Sequence, residues 1–225
     1  MPLLVKICGL KTIEALDAAL DAGADMVGFV FFPPSPRNLG LEAAKVLGER
    51  VKGRARKVAL SVDATDAELT AAIEALRPDM LQLHGKEAPE RVASVRSRFR
   101  LPVMKALPIE TRADLSPVYT FAKVADWLLF DARAPREATR PGGLGKPFDW
   151  TVLERLSPGV PFMLSGGLDA GNLAEAVRIA RPMAVDVSSG VERAPGEKDP
   201  AKIRTFVVTA RDVDNALSDK AVKRA

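Results

Sequence analysis

The chain has 225 residues, 47% hydrophobic and 5% aromatic, and its 33 Lys and Arg against 29 Asp and Glu leave a formal net charge of +4. No apolar stretch approaches the roughly 18 to 20 residues of a membrane helix, the basic residues are scattered, and rings are too few for base stacking, so membrane and nucleic-acid partners give way to a small anionic molecule. The single cysteine, Cys8, cannot close an intrachain disulfide and no signal-like pattern opens the chain, which points to the cytoplasm.

From the N-terminus, short runs of Val, Leu, Ile and Phe alternate with Ala-rich segments carrying charge at helical spacing. Strands are expected at 3–7, 26–31, 57–62, 80–83, 103–107, 127–130, 162–164 and 184–187. Helices are expected between and after them, at 12–22, 41–51, 66–76, 89–99, 114–124, 149–156, 170–180 and 202–217. Thr12, with Glu14 and Asp17 following, Asp66 ahead of Glu68, and Asp149 ahead of Trp150 read as helix starts. No proline-rich linker divides the chain. Eight strand-helix units in so short a chain predict a single (β/α)8 TIM barrel over residues 1–217, with an open doubly wound sheet as the lesser option. Residues 218–225, with Lys220, Lys223 and Arg224, read as a basic, flexible tail.

Side chains alternate across a strand, so each run should give one face to the helices and one to the barrel interior. Lys6 and Cys8 share a face against Val5 and Ile7, and Gln82 and His84 against Leu81 and Leu83. Asp131 and Asp186 fall in the same way in the sixth and eighth runs, and Lys105 interrupts the fifth. These polar residues gather toward the C-terminal strand ends, where barrels of this type build their sites. Burying one such group unpaired costs about 2 to 7 kcal/mol, so a convergent set argues for function where a single member would not.

Two small-residue loops follow the seventh and eighth strands: Ser165-Gly166-Gly167-Leu168, and Ser188-Ser189-Gly190. Backbone N–H groups there can close on an anion, and these are the loops with which barrels commonly hold a phosphate. A phosphorylated small molecule is the expected ligand.

The segments Val5 to Leu10, Gly28 to Phe31, Ser35-Pro36-Arg37, Leu81 to Gly85, Gly145 to Trp150, Leu164 to Leu168 and Ala184 to Glu192 resemble, in order, the phosphoribosylanthranilate isomerase family of tryptophan biosynthesis. The resemblance runs from residue 5 to about 210 and implies a (β/α)8 barrel. It also implies a cofactor-free Amadori rearrangement of N-(5-phosphoribosyl)anthranilate to 1-(o-carboxyphenylamino)-1-deoxyribulose 5-phosphate. By the family pattern Asp131 is the general acid that opens the sugar ring, and Cys8 the base that takes the C2 proton. For that task the Cys8 thiol is expected to ionise more readily than a free one, helped by Lys6 on its face. Arg37 would grip the anthranilate carboxylate, with His84 and Asp186 also at the substrate. Gly166, Gly167, Ser189 and Gly190 would hold the phosphate; no metal is implied.

Leu144 stands where the family usually has a small hydroxyl residue, and 132–140 is longer and more charged than expected, as a lid or as mobile surface. Ser61 to Ala64 also departs from the usual sequence. A sister sugar-phosphate isomerase, which would pair two aspartates, and a non-catalytic sugar-phosphate-binding barrel stay open. Nothing in the sequence chooses between a monomer and a homodimer.

Overall fold

Eight parallel strands pair in sequence order and close on themselves, β1 meeting β8 with Lys6 opposite Asp186. They are β1 (Leu4–Cys8), β2 (Met26–Phe31), β3 (Arg56–Ser61), β4 (Met80–Leu83), β5 (Val103–Ile109), β6 (Trp127–Ala132), β7 (Phe162–Leu164) and β8 (Ala184–Val187). This is a computed structural model, and it describes residues 2–134, 142 and 147–222, with side chains as far as 217. The barrel expected from the strand count is the barrel found.

Around it run α1 (Ile13–Asp21), α2 (Leu41–Val51), α3 (Asp66–Leu76), α4 (Pro89–Phe99), α5 (Val118–Ala122), α6 (Leu173–Ala180) and α7 (Pro200–Val222). Thr12 caps α1 by accepting from the Ala15 amide. The cap of α3 is Thr65, one residue before the expected Asp66, and it forms a reciprocal box with Glu68 that satisfies two amides at once. Lys52, Arg77, Arg100 and Arg181 end their helices in the left-handed conformation.

Two helices depart from expectation. The segment 114–124 splits into a 3-10 turn (Arg112–Leu115) and the short α5, because Pro117 lacks the amide a continuous helix would need. Over 149–156 only one 3-10 turn forms (Trp150–Leu153), capped by Asp149, and Arg155 at φ 62 then turns the chain away. α7 runs on to Val222, past the expected end at Leu217. The side chains of the proposed tail, 218–225, lie outside the described residues, as do 135–141 and Leu144.

The interior is layered. Met26, Val58, Met80, Met104, Ala106, Leu129, Met163 and Ala184 fill its lower part, using four of the chain's six methionines. Unbranched, polarizable side chains suit such an irregular space. Cys8, Val30 and Leu60 form a smaller apolar group above, while the outer strand faces join the helices in the main core, from Val5 and Ile7 to Phe206.

Lys105 does not belong with the inner polar set. Met104 and Ala106 point inward, so Lys105 points out, donating 2.7 Å bonds to Glu87 Oε2 and the Gly85 carbonyl and lying over the Phe121 ring. Glu87 also accepts from the amides of Asp63 and Gly85. The buried pair therefore ties together the loops after β3 and β4. A second unexpected element is a two-stranded hairpin beyond β8, β9 (Glu192–Ala194) with β10 (Glu197–Lys198), which pairs Glu192 with Lys198.

Candidate active site

The C-terminal strand ends surround an open cavity at the face where barrels of this type build their sites. Cys8, Arg37, His84, Asp131, Gly166, Gly167, Asp186 and Ser189 all line it. The residues named from sequence are thus brought to one place. Gly190 is not on the wall; it packs beneath the Leu168 carbonyl group, whose carbon a Cβ there would meet at 3.0 Å.

One side is built on β1 and β8. Lys6, fully buried, donates to Asp186 Oδ1 at 2.9 Å, and Ser165 Oγ donates to Asp186 Oδ2 at 3.2 Å. Burial works to lower the Lys6 ammonium, but the charges of Asp186 and then Cys8 outweigh it and hold Lys6 above its ordinary value. Burial pushes the Cys8 thiol up, Lys6 opposes it, Asp186 adds to it, and the net direction is upward. The expectation of a readily ionised Cys8 is therefore not met in the free protein: water is excluded more effectively than the thiolate is compensated.

Gly28 makes room for this thiol. A Cβ at that position would lie 2.9 Å from Cys8 Sγ and 3.2 Å from Lys6 Cε. Gly28→Ala is expected to displace the sulfur and, with Cys8 as the base the family resemblance implies, to lower kcat about 100-fold, the cost of an error near 1 Å in a reacting group. Overpacking would remove only about 1 to 3 kcal/mol of stability, so a melting curve beside the rate separates misplacement from unfolding.

The other side is a chain of three residues. Gln82 Nε2 lies 2.9 Å from His84 Nδ1, and His84 Nε2 lies 3.1 Å from Asp131 Oδ2. An amide N–H toward Nδ1 leaves the imidazole proton on Nε2, aimed at the carboxyl group. Asp131 Oδ1 accepts from the Ala132 amide at 2.9 Å. Gly142 reaches over this pair, close enough that a Cβ would sit 2.9 Å from His84 Nε2. Gln82 Oε1 is buried with no hydrogen-bond partner among the described residues.

At the rim, Gly166 and Gly167 have φ of +88° and +67°, so the loop after β7 folds into a path that side-chain-bearing residues resist. Asn172 Nδ2 holds the Gly167 carbonyl at 2.8 Å. Ser188 Oγ donates to the Cys8 carbonyl at 3.1 Å, linking the loop after β8 to β1.

Arg37 is buried, and its Nε and Nη2 donate to Glu192 Oε1 and Oε2 at 2.7 and 2.8 Å. Lys198 Nζ donates to the same Oε1 at 2.8 Å, and to the Ser188 carbonyl at 2.8 Å and Oγ at 3.1 Å. Arg37 and Lys198 hold the Glu192 carboxyl below its ordinary value despite burial; Lys198 is pulled down, chiefly by burial, to about 8. Glu192 and Lys198 flank Ala194-Pro195-Gly196, and neither is singled out from sequence as a site residue. The one available signal was the Pro-Gly turn, which places residues on either side of it opposite one another.

A family model described as N-(5'-phosphoribosyl)anthranilate (PRA) isomerase matches residues 5–209. A relative named N-(5'-phosphoribosyl)anthranilate isomerase from Bradyrhizobium sp. (strain ORS 278) is 64% identical over 211 residues, covering 94% of this chain and 96% of the relative. The phosphoribosyl anthranilate isomerase of Thermotoga maritima superposes with a TM-score of 0.84 at 32% identity, over 93% of this chain and 99% of that one. A structure of phosphoribosyl anthranilate isomerase in complex with reduced 1-(o-carboxyphenylamino)-1-deoxyribulose 5-phosphate gives 0.79 at 29% identity, with the same coverage.

Proposed function

The chain belongs to the N-(5'-phosphoribosyl)anthranilate isomerase family, and we propose that it carries out that isomerisation, a step of tryptophan biosynthesis, with Asp131 as general acid and Cys8 as general base. The observation that carries the assignment is their placement in one cavity, each on an element of its own, Asp131 bonded by His84 and Cys8 beside the Lys6 charge.

The steps follow from those supports. Asp131 gives its proton to the furanose ring oxygen, the C1–O bond breaks, and the anilino nitrogen's lone pair forms the protonated Schiff base. The carboxylate left behind is received by the His84 N–H and the Ala132 amide, both already aimed at it. Cys8, as thiolate, then takes the C2 proton, and the C–H pair moves to C1–C2 to give an enolamine. The Cys8 thiol returns its proton to C1 and the C2 hydroxyl proton passes to the Asp131 carboxylate, which leaves a C2 ketone and both residues as they began. C1 is thereby reduced and C2 oxidised within one molecule, an intramolecular oxidoreduction of the aldose-ketose type.

Lys6 stabilises the thiolate, with Asp186 orienting Lys6 and Ser165 orienting Asp186. Gly166, Gly167 and Ser189 receive the phosphate through backbone N–H groups, while Gly190 lets the two loops approach. Arg37 receives the anthranilate carboxylate. On this reading the proton transfers need no cofactor or metal, and a charged, phosphorylated substrate supports a cytoplasmic location.

Turnover of N-(5'-phosphoribosyl)anthranilate after exhaustive dialysis against a chelator tests this reading. The rate is expected to stay within about twofold of the undialysed protein, because proton transfer between side chains supplies the chemistry. Loss of activity on dialysis and its return on adding a divalent ion would overturn the scheme.

A further inference from the structure

Arg37, Glu192 and Lys198 form a buried group of three charges of which the proton transfers use none. Glu192 takes both ends of the Arg37 fork, and that contact alone is a neutral pair, poorly suited to attracting another carboxylate. Lys198 changes the sum. Its ammonium lies on Glu192 Oε1, held from the far side by both Ser188 oxygens, so the group as a whole carries one positive charge. Burying this third charge is a poor route to stability, since apolar residues of similar size usually serve a core better. Lys11 and Lys202 reach the same region, but they donate to the Pro36 and Glu192 backbone carbonyls and not to the carboxylate.

We propose that Lys198 sets specificity for the anthranilate carboxylate, by offsetting Glu192 so that the clamped Arg37 presents net positive charge to the ligand. The proposal rests on the reading of Arg37 as the carboxylate receptor. Lys198 touches no substrate atom in this role; it is a positioning residue that acts through Glu192.

The test compares two ligands: reduced 1-(o-carboxyphenylamino)-1-deoxyribulose 5-phosphate, and the same compound with hydrogen in place of its carboxylate. Binding is measured by calorimetry for the wild type, Lys198→Met, Lys198→Met with Glu192→Gln, Glu192→Gln and Arg37→Gln. Lys198→Met is expected to weaken the carboxylated ligand about tenfold and the other less than about twofold, as removal of one partly buried charge would. The double variant restores the net charge and is expected to recover the carboxylated ligand to within about threefold of wild type. Glu192→Gln alone is expected to tighten it.

Equal weakening of both ligands by Lys198→Met, or a further loss in the double variant, would reduce Lys198 to a support for the hairpin. Should Lys198→Met fail to fold, Glu192→Gln decides by itself: tighter carboxylate binding supports the charge balance, unchanged or weaker binding overturns it. If Arg37→Gln weakens both ligands alike, the Arg37 reading fails and the proposal with it. If Arg37→Gln separates the ligands and Lys198→Met does not, only the proposal fails.

Discussion

Asp131→Asn is expected to lower kcat about 1,000-fold while leaving the Kd for the reduced product within about threefold, the pattern of a lost proton donor in an intact site. The replacement keeps shape and volume. An asparagine oxygen can still accept from the His84 N–H or the Ala132 amide, so the support on this side persists. An amide cannot deliver a proton to the ring oxygen, and ring opening then depends on water. His84 cannot substitute directly, because its Nε2 points at residue 131 and its Nδ1 is taken by Gln82. Steady-state turnover alongside calorimetry with the reduced product checks both halves. A variant within about tenfold of wild-type kcat would mean that the acid lies elsewhere.

How far such a site is legible in sequence can be seen residue by residue. Period-two alternation placed Lys6, Cys8, Gln82, His84, Asp131 and Asp186 on the interior face, and the structure lines the cavity with four of them, with Lys6 and Gln82 beneath as supports. Alternation works there because the neighbouring positions are plainly apolar. It failed at Lys105, where Met104 and Ala106 on one side and Val103 and Leu107 on the other are equally apolar, so the pattern carries no phase. Only the buried Glu87, brought in by the loop after β4, decides which way that lysine turns.

Helix limits show the same division between local and distant causes. Thr12 and Thr65 start their helices by bonds to amides three residues on, which sequence can approximate. The segment 149–156 carries helical spacing, yet only a 3-10 turn forms, and Arg155 at φ 62 stands outside the helical region. That Glu192 and Lys198 meet on Arg37 lies beyond any local reading, since Arg37 is 155 positions away from Glu192. The pKa of Cys8 is likewise a property of burial, and burial is decided by the whole barrel.

That burial sets the terms of the second large effect. Cys8→Ser is expected to lower kcat about 1,000-fold or more, because a hydroxyl in the same apolar surroundings ionises far less readily than a thiol. The pH dependence gives the sharper test. The Cys8 value lies above that of an ordinary thiol, so at neutral pH the free protein holds less thiolate than an exposed cysteine would. Since kcat/KM reports the free protein, it should climb with pH across the neutral range and keep climbing beyond the ordinary thiol value near 8.5, for as long as the acid side remains competent. Lys6 is the largest influence opposing burial, so Lys6→Met paired with Asp186→Asn, which removes both charges together, should move the climb to still higher pH and lower the rate at pH 7. In Cys8→Ser the climb should vanish from the residual activity. A wild-type profile flat from pH 6 to 9, or one that Cys8→Ser leaves unchanged in shape, would remove Cys8 as the base and reopen the search for it among the residues that line the cavity.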